Sequence, residues 1–294
     1  MLDFLVIGAQ KSASTFIHSA LMQHPQVCMP NQEVRFFEDP EYGRSNIKDL
    51  KILFSHASPN MLRGIKRPDY LARPEVPERI KHHAPEAKLV AVLRNPIERA
   101  ISAYYYYIKL GFLPPEDINL GLPKIMKGEN RGFLRDKEIL IYGLYATHLK
   151  RWLSFFPKNQ LLILLQEEVR STPREPLDRL CQFLGIGYEL ISHKVKKSNA
   201  GLYSIPRLKF LTKRNRYLYD YDPESNKLIL KSLSVWNLLG AGSITLVDRY
   251  MLGPWFGNGK PRLNLELRQS LTEYYKFEIS ELEQLLNQNL SYWK

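Results

Sequence analysis

With 294 residues, 44% of them apolar and 12% aromatic, the chain is long enough for one large α/β domain with a substantial core, and a charged share of 24% excludes a disordered composition. The 42 Lys and Arg against 30 Asp and Glu give a formal charge of +12, which favours anionic partners (nucleotides, sulfated or phosphorylated substrates, nucleic acid or anionic lipid) without choosing among them. Two cysteines, Cys28 and Cys181, are too few for a disulfide framework and wrongly spaced for a thiolate zinc site, so they read as buried thiols of a reducing compartment. The first apolar run, Leu2 to Ile7, is too short for a signal-peptide core, and no later run approaches a membrane span, so a cytoplasmic protein is expected.

Phe4 to Ile7 is a continuous apolar run closed by Gly8, which predicts a buried parallel strand. Small and polar residues follow to Thr15, and Phe16, Ile17, Ala20 and Leu21 then recur at helical spacing until His24-Pro25. Leu89 to Leu93 predicts a second buried strand, with Asn95 as N-cap and Pro96 as first residue of a helix that runs through Arg99, Ser102 and the tyrosine run Tyr104 to Tyr107. Four successive tyrosines on a helix point in all directions, so only some can be core. A helix over Tyr142 to Phe155, a strand over Leu161 to Leu165 and a helix from Pro173 to near Leu184-Gly185 complete the alternation. Strands alternating with helices argue for a central parallel sheet flanked by helices on both faces.

After Gly187 the pattern loosens. His193 to Arg216 holds eight basic residues and no acid, interleaved with Leu202, Tyr203, Ile205, Leu208, Phe210 and Leu211. It reads either as a solvated basic face or as a flap over an anionic ligand. Ser234 to Lys260, with its glycines, reads as loop-rich, and Leu265 to Leu290 as a long amphipathic helix. The whole is expected to be a single domain, 1–294, with 190–260 as an insert or flap that forms the acceptor side.

The segment Gly8-Ala9-Gln10-Lys11-Ser12-Ala13-Ser14-Thr15 lies between strand and helix, where backbone N–H groups and the positive end of the helix dipole receive anions. It is not the nucleoside-triphosphate signature: the lysine comes three residues after the glycine, and no Gly-Lys-[Ser/Thr] places a hydroxyl for magnesium. A lysine-dependent, metal-free phosphate loop is implied. Taken with three later segments, this loop resembles the sulfotransferases that use 3′-phosphoadenosine-5′-phosphosulfate (PAPS), especially the heparan-sulfate type and its bacterial relatives. Their G-x-x-K-x-G-T-[TS] is matched by Gly8, Lys11, Ser14 and Thr15, with Ala13 in place of a glycine.

Gln32-Glu33-Val34-Arg35-Phe36-Phe37 resembles the family's K-E-x-H-F-F, in which the glutamate removes the acceptor proton; Arg35 replaces the histidine. Gly64-Ile65-Lys66-Arg67-Pro68-Asp69-Tyr70 resembles G-E-K-[ST]-P-x-Y, whose lysine lies near the reaction centre; a glutamate and a small hydroxyl residue are missing. Arg94-Asn95-Pro96-Ile97-Glu98-Arg99-Ala100-Ile101-Ser102-Ala103-Tyr104 resembles R-[DN]-P-x-x-R-A-x-S-x-Y, which grips the nucleotide 3′-phosphate through its first arginine and its serine. Taken singly, Lys11 and Glu33 would read as surface residues; four segments in the right order are a much stronger signal. Gly143 to Trp152 and Leu290 to Trp293 also match and are assigned to packing.

The resemblance implies a P-loop-like fold with a loop-rich helical C-terminal part and sulfuryl transfer from PAPS to a hydroxyl of a sugar, lipid or small metabolite, leaving adenosine 3′,5′-bisphosphate. It implies Lys11, Glu33 and Lys66 as catalytic residues. Lys11, Ser12, Ala13, Ser14 and Thr15 would hold the 5′-phosphate, and Arg94 and Ser102 the 3′-phosphate. No metal, nucleic acid or membrane span is expected, and the short chain suits a bacterial cytoplasmic enzyme. Two other readings remain: a nucleotide kinase or triphosphatase of the same fold, and a non-catalytic binder of anionic glycans or nucleic acid using Lys194 to Arg216.

Overall fold

Five runs of chain pair in parallel because each leaves its backbone groups open to the next. The computed structural model describes residues 2–129, 135–188, 201–222, 227–232 and 234–294. Strands β1 (Phe4–Gly8), β2 (Val27–Cys28), β3 (Leu62–Lys66), β4 (Lys88–Leu93) and β5 (Leu161–Leu165) form one sheet in the order β2-β3-β1-β4-β5. All four pairings are parallel; Leu5 of β1 lies opposite Ile65 on one side and Leu89 on the other. β1 is buried along its whole length, which is why its sequence is continuously apolar rather than alternating.

β1, β4 and β5 lie where the apolar runs place them. β2 and β3 carry no comparable signal: one is two residues long, and the other contains Arg63, Gly64 and Lys66. β3 is a strand because it pairs with the edge of β1, and β2 because it pairs with β3. Gly64 is needed at that edge, since a Cβ there would sit 2.1 Å from Cζ of the Phe4 ring.

The longer helices are α1 (Ser14–Leu21), α2 (Pro96–Leu110), α3 (Tyr145–Leu153), α4 (Arg174–Leu184), α5 (Ile205–Leu218), α6 (Val235–Val247) and α7 (Leu265–Leu286). Ile17, Ala20 and Leu21 of α1 and Leu177, Leu180, Cys181 and Leu184 of α4 pack with Phe4, Val6, Val90 and Val92 into one core cluster. The intervening residues Leu5, Ile7, Leu89, Ala91 and Leu93 point to the other face and are also buried, so both faces are covered. Trp152 of α3, wholly buried, donates its indole N–H to the Leu71 carbonyl at 3.1 Å. Cys28 and Cys181 are free and buried.

Helix ends follow local chemistry. α4 stops at Gly185, whose φ of 82° lets its N–H and that of Ile186 close on the Cys181 carbonyl. α7 ends at Leu286 rather than Leu290, because Asn287 turns left-handed (φ 52°) and Gln288 bonds back to Glu283. α3 starts later than Tyr142. A side chain at Gly143 would meet the Tyr275 ring at 2.8 Å, and Tyr275 donates to the Leu140 carbonyl. The expectation of a loop-rich 234–260 is corrected: α6 runs into a π-helical turn, Asp248–Leu252, and a short helix, Gly253–Phe256. Its apolar residues are spread around all sides of the helix and hide its period, and Gly240 and Gly242 are tolerated inside α6.

Two compact units divide the chain: Met1–Arg99 with Leu144–Asn199 and Phe277–Lys294, and Ala100–Gly143 with Ala200–Lys276. The first holds the sheet. The second is mainly helical, with one antiparallel pair, β6 (Tyr219–Asp222) and β7 (Lys227–Leu230). In the tyrosine run, Tyr104, Tyr105 and Tyr107 are buried and Tyr106 is half-buried. Tyr104 donates to the Glu116 carbonyl at 3.1 Å, and Tyr105 packs edge-on against Tyr203. Among the described residues no helix is long and apolar enough to cross a membrane.

Gly64→Ala is expected to cost about 2 kcal/mol of unfolding free energy in urea titration, the usual cost of forcing a methyl into a filled core.

Candidate active site

Parallel strands all point the same way, so the loops that leave their C-terminal ends share one edge of the sheet. The Gly8–Thr15 loop leaves β1, Glu33 follows β2, Lys66 ends β3 and Arg94 follows β4. β1 itself sits between β3 and β4, where the chain's connections diverge. All these residues belong to the first unit.

The loop is held open for an anion. α1 has no side-chain cap and no acid in its first turn; Phe16 N–H bonds the Ala13 carbonyl at 2.9 Å, and the helix start before it keeps its positive field. Lys11 and Ala13 both have left-handed backbones, φ 66° and 69°. Non-glycine residues there carry strain that the surroundings must hold in place. Ala13, standing where the family pattern has glycine, occupies a conformation that glycine adopts freely. Ser12 is fully buried and Thr15 is exposed. Beneath the loop lies Tyr145, its hydroxyl pushed up from its ordinary pKa by burial despite the nearby Arg99, Ser12 and Arg94. Gly8 permits a close approach, because a Cβ there would meet Cβ of Leu71 at 2.5 Å.

Glu33 meets this loop through Lys66. The Lys66 ammonium lies 3.2 Å from Glu33 Oε1 and 3.4 Å from Thr15 Oγ1, at the first turn of α1. Glu33 Oε2 accepts from Arg67 at 2.8 Å. The Glu33 side chain remains 38% exposed, so its remaining lone pairs are open to an incoming donor. The loop after β2 is fixed by backbone pairing of Val34 N–H with the Lys66 carbonyl. It is fixed again by Tyr70, which donates to the Val34 carbonyl and accepts from Phe37 N–H. Arg35 is exposed, and Phe36 and Phe37 are the buried members of the segment.

Arg67 was not singled out by the sequence, where it reads as a missing hydroxyl residue. It is buried, and it grips Glu38 through Nε (3.1 Å) and Nη2 (2.8 Å), Asp69 through Nη2 (2.9 Å) and Glu33 through Nη1. Burial opposes its charge, but Asp69, Glu38 and Glu33 outweigh burial and hold its pKa well above the ordinary value. Asp69 also accepts from Gln10 of the loop at 3.1 Å, so the network returns to the residue before Lys11. His18 was likewise missed. From α1 it bonds the Pro30 carbonyl at 2.9 Å and so ties the segment that leads to Glu33. Apart from Arg67 and Asp69, two residues apart, the bonded partners lie 12 to 59 residues apart in the sequence, and no local pattern marks them.

Arg94 leaves β4 and turns to the loop: Nη1 donates to the Lys11 carbonyl and Nη2 to Glu98, both at 3.2 Å. Asn95 caps α2 as expected, accepting from Ile97 and Glu98 N–H, and its amide donates to the Trp293 carbonyl at 3.1 Å. Ser102 lies on α2, buried, one turn beyond Glu98 and within the second unit. The structure thus brings Lys11, Thr15, Glu33, Lys66 and Arg94 to the first unit's sheet edge and leaves Ser102 on the other unit.

A five-stranded parallel sheet with an uncapped, lysine-bearing turn after its first strand defines an α/β protein of P-loop-like fold. Residues 2–204 match the sulfotransferase domain family, and the chain belongs to that family. Human bifunctional heparan sulfate N-deacetylase/N-sulfotransferase 2 is 33% identical over 195 residues, covering 62% of this chain and 22% of that protein. Human bifunctional heparan sulfate N-deacetylase/N-sulfotransferase 1 is 26% identical over 310 residues, covering 98% of this chain and 30% of its own length. The chain therefore spans less than a third of these relatives. The crystal structure of a sulfotransferase from Alicyclobacillus acidocaldarius shares the fold, with a TM-score of 0.69 at 19% identity over 100% of this chain and 98% of that one. The kinase and non-catalytic readings are not favoured by this family membership.

Replacing Ala13 by glycine is expected to raise stability by about 1 kcal/mol, because relief of the left-handed strain exceeds the entropy added to the unfolded chain. His18 titrates below its ordinary 6.5, chiefly because burial disfavours its charge, with Lys66 acting in the same direction. A folded pKa below the unfolded one means stability is intact above about pH 6.5 and falls as acid protonates the unfolded chain first. Chemical denaturation at pH 7.5 and about pH 5.5 is expected to show a smaller acid loss for His18→Gln than for the parent; His83, lowered by burial as well, contributes equally to both.

Proposed function

We propose that the chain transfers a sulfuryl group from PAPS to a hydroxyl acceptor, in line and without a metal. The observation that carries this reading is the pairing of Glu33 with Lys66 within reach of Thr15, which puts a carboxylate base and a buried cation beside an anion-receptive helix start. The acceptor oxygen bonds to sulfur as the bond from sulfur to the 5′-phosphate oxygen breaks. The electron pair leaves with adenosine 3′,5′-bisphosphate, and the acceptor proton passes to Glu33. Lys11 stabilises the leaving oxygen and Lys66 holds sulfate oxygens, the neutralising part that magnesium plays in phosphoryl transfer. Amides from Lys11, Ser12, Ala13, Ser14 and Thr15 hold the 5′-phosphate, and Arg94 and Ser102 the 3′-phosphate. Arg94 supports its role with a forked cation 3.2 Å from the loop carbonyl of Lys11.

Acceptor recognition is assigned to 190–260 of a single functional domain; of its basic stretch, Lys194, Lys196 and Lys197 lie outside the described residues. The similar heparan sulfate proteins are named N-sulfotransferases, and an amine acceptor must lose a proton to Glu33 just as a hydroxyl does. The free thiols Cys28 and Cys181 suit the reducing cytoplasm.

Incubation with radiolabelled PAPS and panels of hydroxyl and amine acceptors, read by mass gain of one sulfuryl group, tests the reaction and names the acceptor class. Glu33→Gln is expected to lower turnover by at least about a hundredfold while leaving adenosine 3′,5′-bisphosphate binding intact; undiminished turnover would show that another group is the base. Arg94→Ala is expected to weaken that nucleotide's binding by about tenfold or more in calorimetry, with unchanged affinity removing Arg94 from the 3′-phosphate.

A further inference from the structure

The second unit carries a surface that the proposed reaction does not use. On α6, Val235, Leu239 and Leu246 recur at i, i+4 and i+11 and so share one face, with Trp236 at its flank; all four are exposed. Beyond α6, Tyr250 and Trp255 are exposed as well, and the two tryptophans are 80% and 79% exposed. On the inward side Ala241 and Asp248 are buried. A helix this apolar normally loses both sides to packing; here the outer side is open, and a contiguous apolar patch of this kind marks an interaction surface.

The charges around it are mainly basic, although Lys231 pairs with the exposed Asp220 of β6 at 3.1 Å. From Lys227 to Leu263 the chain has five bases, Lys227, Lys231, Arg249, Lys260 and Arg262, and a single acid, Asp248. That acid is turned inward, clasped by Arg207 at 2.9 Å through both oxygens. The neighbouring α5 adds exposed Lys209, Lys213 and Arg216 and has no acid at all. Aromatic and aliphatic side chains on one face, with bases flanking them, match the lipid headgroup boundary, where tryptophan rings seat and lysine and arginine reach anionic phosphates.

We propose that the outer face of 235–256 docks the chain on an anionic phospholipid bilayer, lying in the interface without crossing it. A second copy of the chain is a poorer occupant, since two such faces would bring mainly bases against bases. Docking is independent of the sulfuryl transfer proposed above.

The test is co-sedimentation of the full chain with vesicles of phosphatidylcholine alone and of phosphatidylcholine with phosphatidylglycerol, at low and high salt. Tryptophan quenching by brominated lipid is read alongside; Trp152 and Trp293 are buried, so the quenching reports Trp236 and Trp255. The expected result is binding to the anionic vesicles, weakened by salt. The double variant Trp236→Ser/Trp255→Ser should bind at least about tenfold more weakly with an unchanged circular dichroism spectrum. Failure of the parent chain to bind anionic vesicles overturns the proposal, as does equal binding by the double variant. Equal partition into neutral vesicles at either salt overturns the anionic commitment. A vesicle-free dimer in light scattering that the double variant dissolves would assign the face to a second copy instead.

Discussion

The clasp of Arg67 by Glu33, Glu38 and Asp69 is the interaction on which the site depends. A guanidinium removed from water is tolerated only where carboxylates meet its donors, and here its bonds to all three lie between 2.8 and 3.1 Å. The carboxylates come from two places: Glu33 and Glu38 from the loop after β2, and Asp69 from the segment after β3. Holding Arg67 therefore holds the β2 loop against the end of β3. Asp69 extends the hold to Gln10, and Lys66 extends it from Glu33 to Thr15, so the ring starts and ends on the anion loop. Removing any one member leaves a buried charge without its counterpart, which is why such networks resist piecemeal change.

That ring also accounts for the strained turn. Lys11 and Ala13 sit in left-handed backbone that a free loop would abandon. Gln10 is bonded to Asp69 on one side of the strained pair, and the Lys11 carbonyl accepts from Arg94 on the other strand end. The loop is thus fixed by the chain's own contacts. Preorganisation of this kind spares the reorganisation that transition-state stabilisation would otherwise require.

The second unit follows a different physical logic. Its interior is built from tyrosine hydroxyls and buried ion pairs, among them Arg207 with Asp248 and Tyr107 with Glu138. Its outer face, by contrast, leaves tryptophan and leucine uncovered next to bases. With Asp248 turned inward onto Arg207, the charge beside that face is mainly basic.

Three of the five sheet strands, the cap at Asn95, the stop at Gly185 and the loop that carries Lys11 were legible in the sequence, because each is written in neighbouring residues: an apolar run, a capping side chain, a glycine after a helix. The order of four family-like segments also pointed to Lys11, Glu33, Lys66, Arg94 and Ser102. What local pattern could not contain was Arg67, His18, Glu38 and Asp69 as parts of the site, since their meaning is a contact made only when β2 and β3 pair onto β1. The helical character of 235–256 was hidden because apolar residues are spread around all sides there, and its exposed face is defined only by which sides α6 loses to packing. Local chemistry therefore determined the elements and the reactive residue types. The tertiary structure decided which charges meet, because in a parallel sheet every strand end is brought to one edge by segments far apart in the chain.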